Sequence, residues 1–122
     1  MRTEDLPVTQ KDTSLKDAIV IMSRGRLGHI LMTDESGALV ALLSDGDLRR
    51  ALMKKDFSLD ERAIVYANQT PTSYTNTELL ASEALEIIEE KKIQLLPITT
   101  EEKKLIGVLH IHDLVNAGIK SK

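Results

Sequence analysis

The sequence has no cysteine and no tryptophan, and its aromatic residues are limited to Phe57, Tyr66 and Tyr74. The lack of cysteine excludes disulfides, thiolate nucleophiles and cysteine-based zinc sites. Nucleic-acid binding needs aromatic stacking platforms or a positive surface, and this chain has few aromatics and a net charge of −3. We therefore expect no nucleic-acid partner.

Long apolar runs are also missing. The longest are the size of a β-strand, and no apolar signal segment opens the chain. We therefore expect a soluble, cytoplasmic protein with no membrane partner. The 122 residues, 42% of them hydrophobic, are enough for one compact body or for two half-size units, but not for a large multidomain enzyme.

The strongest pattern in the sequence is an internal repeat with an offset of 66 residues. The two halves align without a gap from Thr9/Thr75 to Ala51/Ala117. Identical residues recur at Ala18/Ala84, Ile21/Ile87, Thr33/Thr99, Glu35/Glu101, Leu39/Leu105, Leu43/Leu109, Asp47/Asp113 and Leu48/Leu114. A repeat of this length indicates two copies of one structural unit.

Hydrophobic spacing and turn residues predict the same order of elements in each half. In the first half they predict a helix at 14–23, hairpin strands at 29–33 and 39–43, and a helix at 44–55. In the second half they predict a helix at 77–92, strands at 95–99 and 105–109, and a helix from Asp113. Each half becomes β-α-β-β-α if the short runs 7–9 and 73–75 are counted as strands.

The predicted fold class is therefore α/β (α+β), with two β-α-β-β-α repeats packed sheet to sheet with pseudo-two-fold symmetry. We assign residues 1–55 and 71–122 to the two units, and 56–70 to a linker with a short helix at about 59–66. A unit of roughly 60 residues buries too little apolar surface to be stable alone, which favours this pairing. We expect small ligands in the clefts between the units, where strands end and helices begin.

Ser44 and Asp47 stand where the second hairpin strand passes into a helix. A hydroxyl and a carboxylate three residues apart form a capping box at a helix start, whether or not a ligand is bound. The same groups also suit a nucleotide, because a carboxylate accepts hydrogen bonds from ribose hydroxyls and a helix N-terminus attracts phosphate. Both interpretations can hold together.

Residues 42–50 and 108–114 resemble the closing motifs of tandem cystathionine-β-synthase (CBS) domains. The resemblance implies that Ser44 contacts phosphate and Asp47 contacts the ribose of a bound nucleotide. The second copy keeps Asp113 but has His110 where the family usually has Thr or Ser. His29 is a further departure, because the family more often has a small or apolar residue there.

Three segments, 26–28, 44–52 and 107–118, resemble more specifically the C-terminal CBS pair of bacterial arabinose 5-phosphate isomerases of the Kdo (3-deoxy-D-manno-octulosonate) pathway. Residues 1–8 resemble the linker after their sugar-isomerase domain, with Glu4 where a glycine is common. The resemblance implies that this chain is a piece of a longer isomerase, whose catalytic residues lie upstream. We expect no catalysis by this chain, which has no phosphate-binding glycine loop and no nucleophile or metalloprotease motif.

Two further groups of residues have competing interpretations. His110, His112 and Asp113 are either metal ligands or, as we prefer, helix caps and lining of the ligand cleft. Arg24, Arg26, Arg49 and Arg50 are either solvated surface charges or the source of an anion pocket, in which Arg26 and Arg49 pair with a phosphate or a sugar-acid carboxylate.

We expect a regulatory module that binds a nucleotide or nucleotide-sugar and controls the isomerase domain of the same polypeptide. The resemblance favours CMP-Kdo, the pathway's end product, whose carboxylate would pair with Arg26, Arg49 or His112. Generic CBS behaviour favours AMP, ADP or ATP instead. The alternatives are a ligand-free dimerisation module and a metal-dependent enzyme, and we expect a homo-oligomer that is at least a dimer. No metal or other cofactor is expected.

Overall fold

The computed structural model describes residues 1–25 and 27–120 and divides into two compact units. The first unit is Asp5–Pro71. The second unit joins Met1–Glu4 to the residues from Thr72 onward. We call Met1–Glu4 the arm, because it packs with the half of the chain that is distant in sequence. The sequence-based boundaries 1–55, 56–70 and 71–122 stay a prediction.

The described residues of the first unit form a three-stranded sheet, three helices and their connections. Its elements are β1 (Val8–Gln10), α1 (Leu15–Gly25), β2 (His29–Thr33), β3 (Leu39–Ser44), α2 (Asp45–Leu52) and a 3₁₀ helix (Ala63–Tyr66). The central strand β2 pairs in parallel with β1 and antiparallel with β3. The predicted hairpin is confirmed, and its turn is held by Asp34 Oδ1, which accepts hydrogen bonds from the backbone of Ser36 and Ala38.

The second unit repeats the hairpin and its flanking helices. Its elements are α3 (Ala81–Lys91), β4 (Leu95–Thr99), β5 (Leu105–His110) and α4 (Ile111–Asn116). The hairpin register is the same as in the first unit, since Leu95 lies opposite His110 as His29 lies opposite Ser44. Where we predicted a strand at 73–75, the structure has a single parallel bridge between Tyr74 and Ile98.

Each unit has its own core between its sheet and its helices. In the first, the buried residues are Leu15, Ala18, Met22, Ile30, Met32, Ala41, Leu43 and Ala63. In the second, they are Ala84, Leu85, Ile88, Leu96, Ile98 and Leu114. Several of these are equivalent at the 66-residue offset, including Ala18/Ala84 and Ile30/Leu96, so the repeat conserves the inward-facing positions.

Helix ends differ from the predictions at two places in the second unit. α3 begins at Ala81 rather than at residue 77, because Asn76 first forms its own turn: its side-chain oxygen accepts from the Glu78 amide at 2.9 Å. α4 begins at Ile111 rather than at Asp113, because His110 caps it. Among the described residues, no helix has the length and apolar character needed to cross a membrane.

Candidate functional site

The first candidate site lies at the junction of β3 and α2. Ser44 Oγ accepts a hydrogen bond from the Asp47 amide at 3.1 Å, and Asp47 Oδ2 accepts one from the Ser44 amide at 3.0 Å. The two bonds are reciprocal, so Ser44 and Asp47 form the capping box predicted from their spacing. They fix the hydroxyl and the carboxylate side by side at the start of the helix.

Asp47 has a second partner that we did not predict. Its Oδ1 accepts from Arg50 Nη2 at 2.6 Å. Asp47 is only 20% exposed, whereas Arg50 is 70% exposed, so the carboxylate is sheltered and the guanidinium reaches solvent. The spacing of three residues on a helix was the available signal for this contact. The candidate site is therefore a hydroxyl, a carboxylate and a guanidinium within one helical turn.

The other residues predicted for the first unit lie elsewhere. Arg26 lies outside the described residues. Arg49 is exposed on α2, and the guanidinium that contacts Asp47 belongs to Arg50. His29, the departure from the family pattern, is buried on β2, and its Nδ1 lies 2.9 Å from the Leu27 carbonyl oxygen.

A cavity of about 360 Å³ opens between α1 and α2 of the first unit. It is lined by Ile19, Met22, Ser23, Gly28, Asp45 and Leu48. Gly28 has a positive φ of 68°, and an added Cβ would lie 2.9 Å from Asp45 Oδ2. Glycine is therefore required there for the Asp45 side chain to approach the backbone. The carboxylate in this cavity belongs to Asp45 rather than to Asp47.

The second candidate site lies at the junction of β5 and α4. His110 replaces the hydroxyl residue, and its Nδ1 accepts a hydrogen bond from the His112 amide at 3.1 Å. An accepting Nδ1 carries no proton, so the neutral ring has its hydrogen on Nε2. The two imidazoles stack with ring centroids 5.0 Å apart. His110 is thus the N-cap of α4, as the capping interpretation proposed. Histidine in place of Ser or Thr keeps a cap at this position but removes the hydroxyl.

Asp113, the equivalent of Asp47, is bound by the arm. Arg2 Nε donates to Asp113 Oδ2 at 2.6 Å, and Arg2 Nη2 donates to Asp113 Oδ1 at 2.8 Å. Hydrogen bonding to Arg2, more than its charge, lowers the pKa of the Asp113 carboxyl, and the same contact raises the pKa of Arg2. We did not predict this pair, since 111 residues separate its members and no local pattern signals it.

A cavity of about 400 Å³ adjoins this ion pair. Its lining consists of Met1, Arg2, Ala81, Val108, Leu109, Asp113, Leu114, Ala117 and Ile119. Arg2 and Asp113 supply the charged side chains among these residues, and the other lining side chains are apolar. This volume lies within the range of small-molecule sites, and the combination of apolar walls with a few polar groups is typical of them.

The metal interpretation of His110, His112 and Asp113 receives no geometric support. Across residues 1–25 and 27–120, no three histidine, aspartate or glutamate side chains come together to hold a metal ion. The contacts of these residues are instead a helix cap and an ion pair.

The chain belongs to the CBS domain family, which it matches over residues 1–54 and 73–120. The crystal structure of CBSX2 in complex with AMP superposes with a TM-score of 0.83 at 23% identity, covering 97% of this chain and 91% of that one. The tandem CBS fold expected from the two motifs is thereby confirmed.

Among the relatives, a protein of Helicobacter pylori (strain J99) is 42% identical over 121 residues, which are 99% of this chain and 36% of the relative. Arabinose 5-phosphate isomerase KdsD of Pseudomonas aeruginosa is 40% identical over 119 residues, which are 95% of this chain and 35% of KdsD. The chain thus spans about a third of the length of the curated relatives it matches, and its predicted resemblance to arabinose 5-phosphate isomerases is confirmed.

Proposed function

We propose that this CBS pair is a regulatory module in which Asp47 and Asp113 bind the ribose hydroxyls of a nucleotide or nucleotide-sugar. The observation that carries the proposal is the equivalence of the two carboxylates. Each stands in the first turn of the helix that follows a hairpin, at the same position of the repeat, and each already accepts hydrogen bonds from an arginine.

The chemistry around each carboxylate supports a ribose ligand. A carboxylate has about four acceptor positions, so the bonds from Arg50 and the Ser44 amide leave acceptor capacity on Asp47 for a ligand hydroxyl. Ser44 Oγ and the Arg50 guanidinium suit the phosphate of the same ligand. In the second unit the apolar cavity walls suit a base or another uncharged ring.

We favour CMP-Kdo as the ligand, acting as a feedback signal on an isomerase domain in the same polypeptide. The relationship to KdsD supports that assignment. A sugar acid brings a carboxylate as well as a phosphate, and Arg26, Arg49 and His112 are the candidate partners for it. An adenine nucleotide is the alternative ligand, supported by the AMP complex of CBSX2. In either case the isomerase reaction belongs to a part of the parent enzyme other than this chain, and the ligand is a regulator rather than a cofactor.

A second candidate function is a structural dimerisation module that needs no ligand. It is favoured by exposed apolar side chains on the helices and at a helix end. Leu52 (59%) and Val115 (54%) lie on α2 and α4, and Met53 (86%) caps the C-terminus of α2. Burying such residues between copies of the chain would stabilise a homo-oligomer. Light scattering that detects a monomer at high concentration would contradict this function.

Ligand-induced stabilisation tests the proposal. The Tm is measured by thermal denaturation with CMP-Kdo, CMP, AMP, ADP or ATP. The proteins compared are the wild-type chain and the variants Asp47→Asn, Asp113→Asn and Glu101→Gln. Asparagine keeps an oxygen that can accept from the Ser44 amide, so Asp47→Asn removes charge with little disturbance of the cap. Glu101 is exposed in the β4–β5 turn and serves as the charge-matched control.

A ligand at about one hundred times its dissociation constant stabilises the folded state by about 2.7 kcal/mol. We expect one ligand class to raise the Tm of the wild type and of Glu101→Gln, and to raise it less in at least one aspartate variant. Equal shifts in all four proteins, or no shift with any ligand, would contradict the proposal. The second of these results would favour the dimerisation module.

A further inference from the structure

The arm of the second unit is held against β5 by its backbone as well as by Arg2. The Arg2 amide donates to the Val108 carbonyl and the Val108 amide donates to the Arg2 carbonyl, each at 2.9 Å. Gly107 permits this approach, because an added Cβ would lie 2.5 Å from the Arg2 carbonyl oxygen. The arm is therefore seated on the strand that leads into the second candidate site.

The guanidinium of Arg2 occupies both oxygens of Asp113, whereas Arg50 contacts only one oxygen of Asp47. A planar guanidinium fork and a pair of adjacent ribose hydroxyls make the same kind of two-point contact with a carboxylate. Both would approach Asp113 from the cavity side, since Arg2 and Asp113 both line the cavity. The two partners thus compete for one acceptor pair.

We propose that Arg2 competes with the ligand for the Asp113 carboxylate of the second unit, so that ligand binding at Asp113 and docking of the arm exclude each other. This inference rests on the proposed function, since it takes Asp113 as the ribose acceptor. Ligand binding at the second unit would then release the arm and so affect the chain around Met1. In the described part of the first unit, the guanidinium that contacts Asp47 comes from Arg50 of the same helix, so that contact is local.

The strength of the contact suits a reversible switch. The side chains of Arg2 and Asp113 are 49% and 39% exposed. Ion pairs of this exposure contribute about 0.2–1 kcal/mol, which corresponds to a change of up to about fivefold in a competing dissociation constant. A ligand can therefore displace Arg2, but at a measurable loss of affinity.

The test is a titration of the wild type, Arg2→Ala and Lys11→Ala with AMP. Binding is monitored by ¹H–¹⁵N NMR, so that the affinity of each unit is measured separately. Lys11 is a matched control, because it is an exposed cation whose ion pair with Glu35 (3.5 Å) lies in the first unit. Amides of His112 and Asp113 report the second unit, and those of Ser44 and Asp47 report the first.

We expect Arg2→Ala to tighten AMP binding at the second unit about 1.4- to fivefold, with the first unit unchanged and Lys11→Ala like the wild type at both. Hydrogen exchange of the Val108 amide gives a second readout, because this amide donates to the arm. Saturating AMP should accelerate its exchange in the wild type.

The outcomes separate the inference from the proposed function. Two results would overturn the inference and leave the proposed function standing. In one, AMP binds at the second unit and Arg2→Ala weakens that binding or leaves it unchanged. In the other, AMP binds at the first unit alone in all three proteins. Slower or unchanged exchange at Val108 when AMP fills the second unit would also overturn it. Absence of binding at both units of all three proteins, in titrations with AMP and with CMP-Kdo, would overturn both.

Discussion

The two units share a backbone plan but differ in what holds the carboxylate at the start of the second helix. In the first, Ser44 and Asp47 cap each other and Arg50 lies on the same helix. In the second, His110 caps through its own ring, and Asp113 is bound by Arg2 from the arm. One substitution at the cap therefore accompanies a change from a local partner to a distant one.

The arm itself belongs to the repeat. Leu42 forms an antiparallel bridge with Asn68, and Val108, which is 66 residues after Leu42, forms the same bridge with Arg2. The arm thus does for the second hairpin what the segment around Asn68 does for the first. Each hairpin is therefore completed by a segment that lies outside the β-α-β-β-α pattern itself.

The largest expected contrast is in the cores. Leu43 is fully buried, whereas the equivalent Leu109 is partly exposed beside the cavity of the second unit. We expect Leu43→Ala to lower the free energy of unfolding by about 2–5 kcal/mol and Leu109→Ala to lower it by less, because less contact is lost. Urea denaturation measures both. Equal losses would contradict this contrast between the two cores.

The hairpin turns give the next contrast. Gly37 and the equivalent Lys103 both have positive φ, 85° and 71°. A side chain in this region costs roughly 1–2 kcal/mol, so Gly37→Ala should destabilise by about that amount. Lys103→Gly should instead be neutral or stabilising. Thermal denaturation compares the two variants, and a destabilising Lys103→Gly would indicate that the lysine side chain makes contacts that offset its strain.

The helix caps give a smaller effect. Ser44→Ala removes the acceptor for the Asp47 amide and should cost about 1 kcal/mol of stability, whereas Ser44→Thr should cost less because it keeps a hydroxyl.

The reverse exchange, His110→Ser, tests whether a hydroxyl can re-form the capping box with Asp113. If it does, the Asp113 carboxylate shifts toward the backbone amide of the substituted residue and the pair with Arg2 weakens.

The smallest effect is on titration. Hydrogen bonds from the Ser36 hydroxyl and then the Ala38 amide lower the pKa of Asp34, and Arg2 lowers that of Asp113. A carboxyl whose pKa is lower in the folded than in the unfolded state stabilises the fold above its unfolded pKa, and this stabilisation is lost as the pH falls through the folded value. In an NMR titration of the carboxyl carbons, Arg2→Ala should raise the pKa of Asp113 and leave that of Asp34 unchanged. If the pKa of Asp113 is the same in Arg2→Ala as in the wild type, Arg2 does not contact the carboxylate in solution.

The sequence predicted the features that depend on local pattern. The strands at 29–33 and 95–99 match the structure at both ends, because apolar runs bounded by polar turns leave little choice. The capping box of Ser44 and Asp47 was predictable for the same reason. The start of α3 was wrong, because the Asx turn at Asn76 competes with a helix start at residue 77.

Features that depend on tertiary contact were not predictable. Arg2 meets Asp113 only because the arm pairs with Val108 across the length of the chain. Arg50, three residues from Asp47, was within reach of the helical spacing rule, but we chose Arg49 for an anion pocket. The roles of Arg26, Arg49 and His112 toward a ligand stay predictions.

A calorimetric comparison of AMP with 2′-deoxy-AMP tests whether Asp47 and Asp113 accept hydrogen bonds from ribose. A hydrogen bond to a charged group contributes about 1.5–3 kcal/mol, so the wild type should bind AMP about tenfold or more tightly than the deoxynucleotide. The Asp47→Asn/Asp113→Asn variant, shown to be folded by circular dichroism, should lose that preference. Equal affinity of the wild type for both nucleotides, or the same preference in the variant, would contradict the claim.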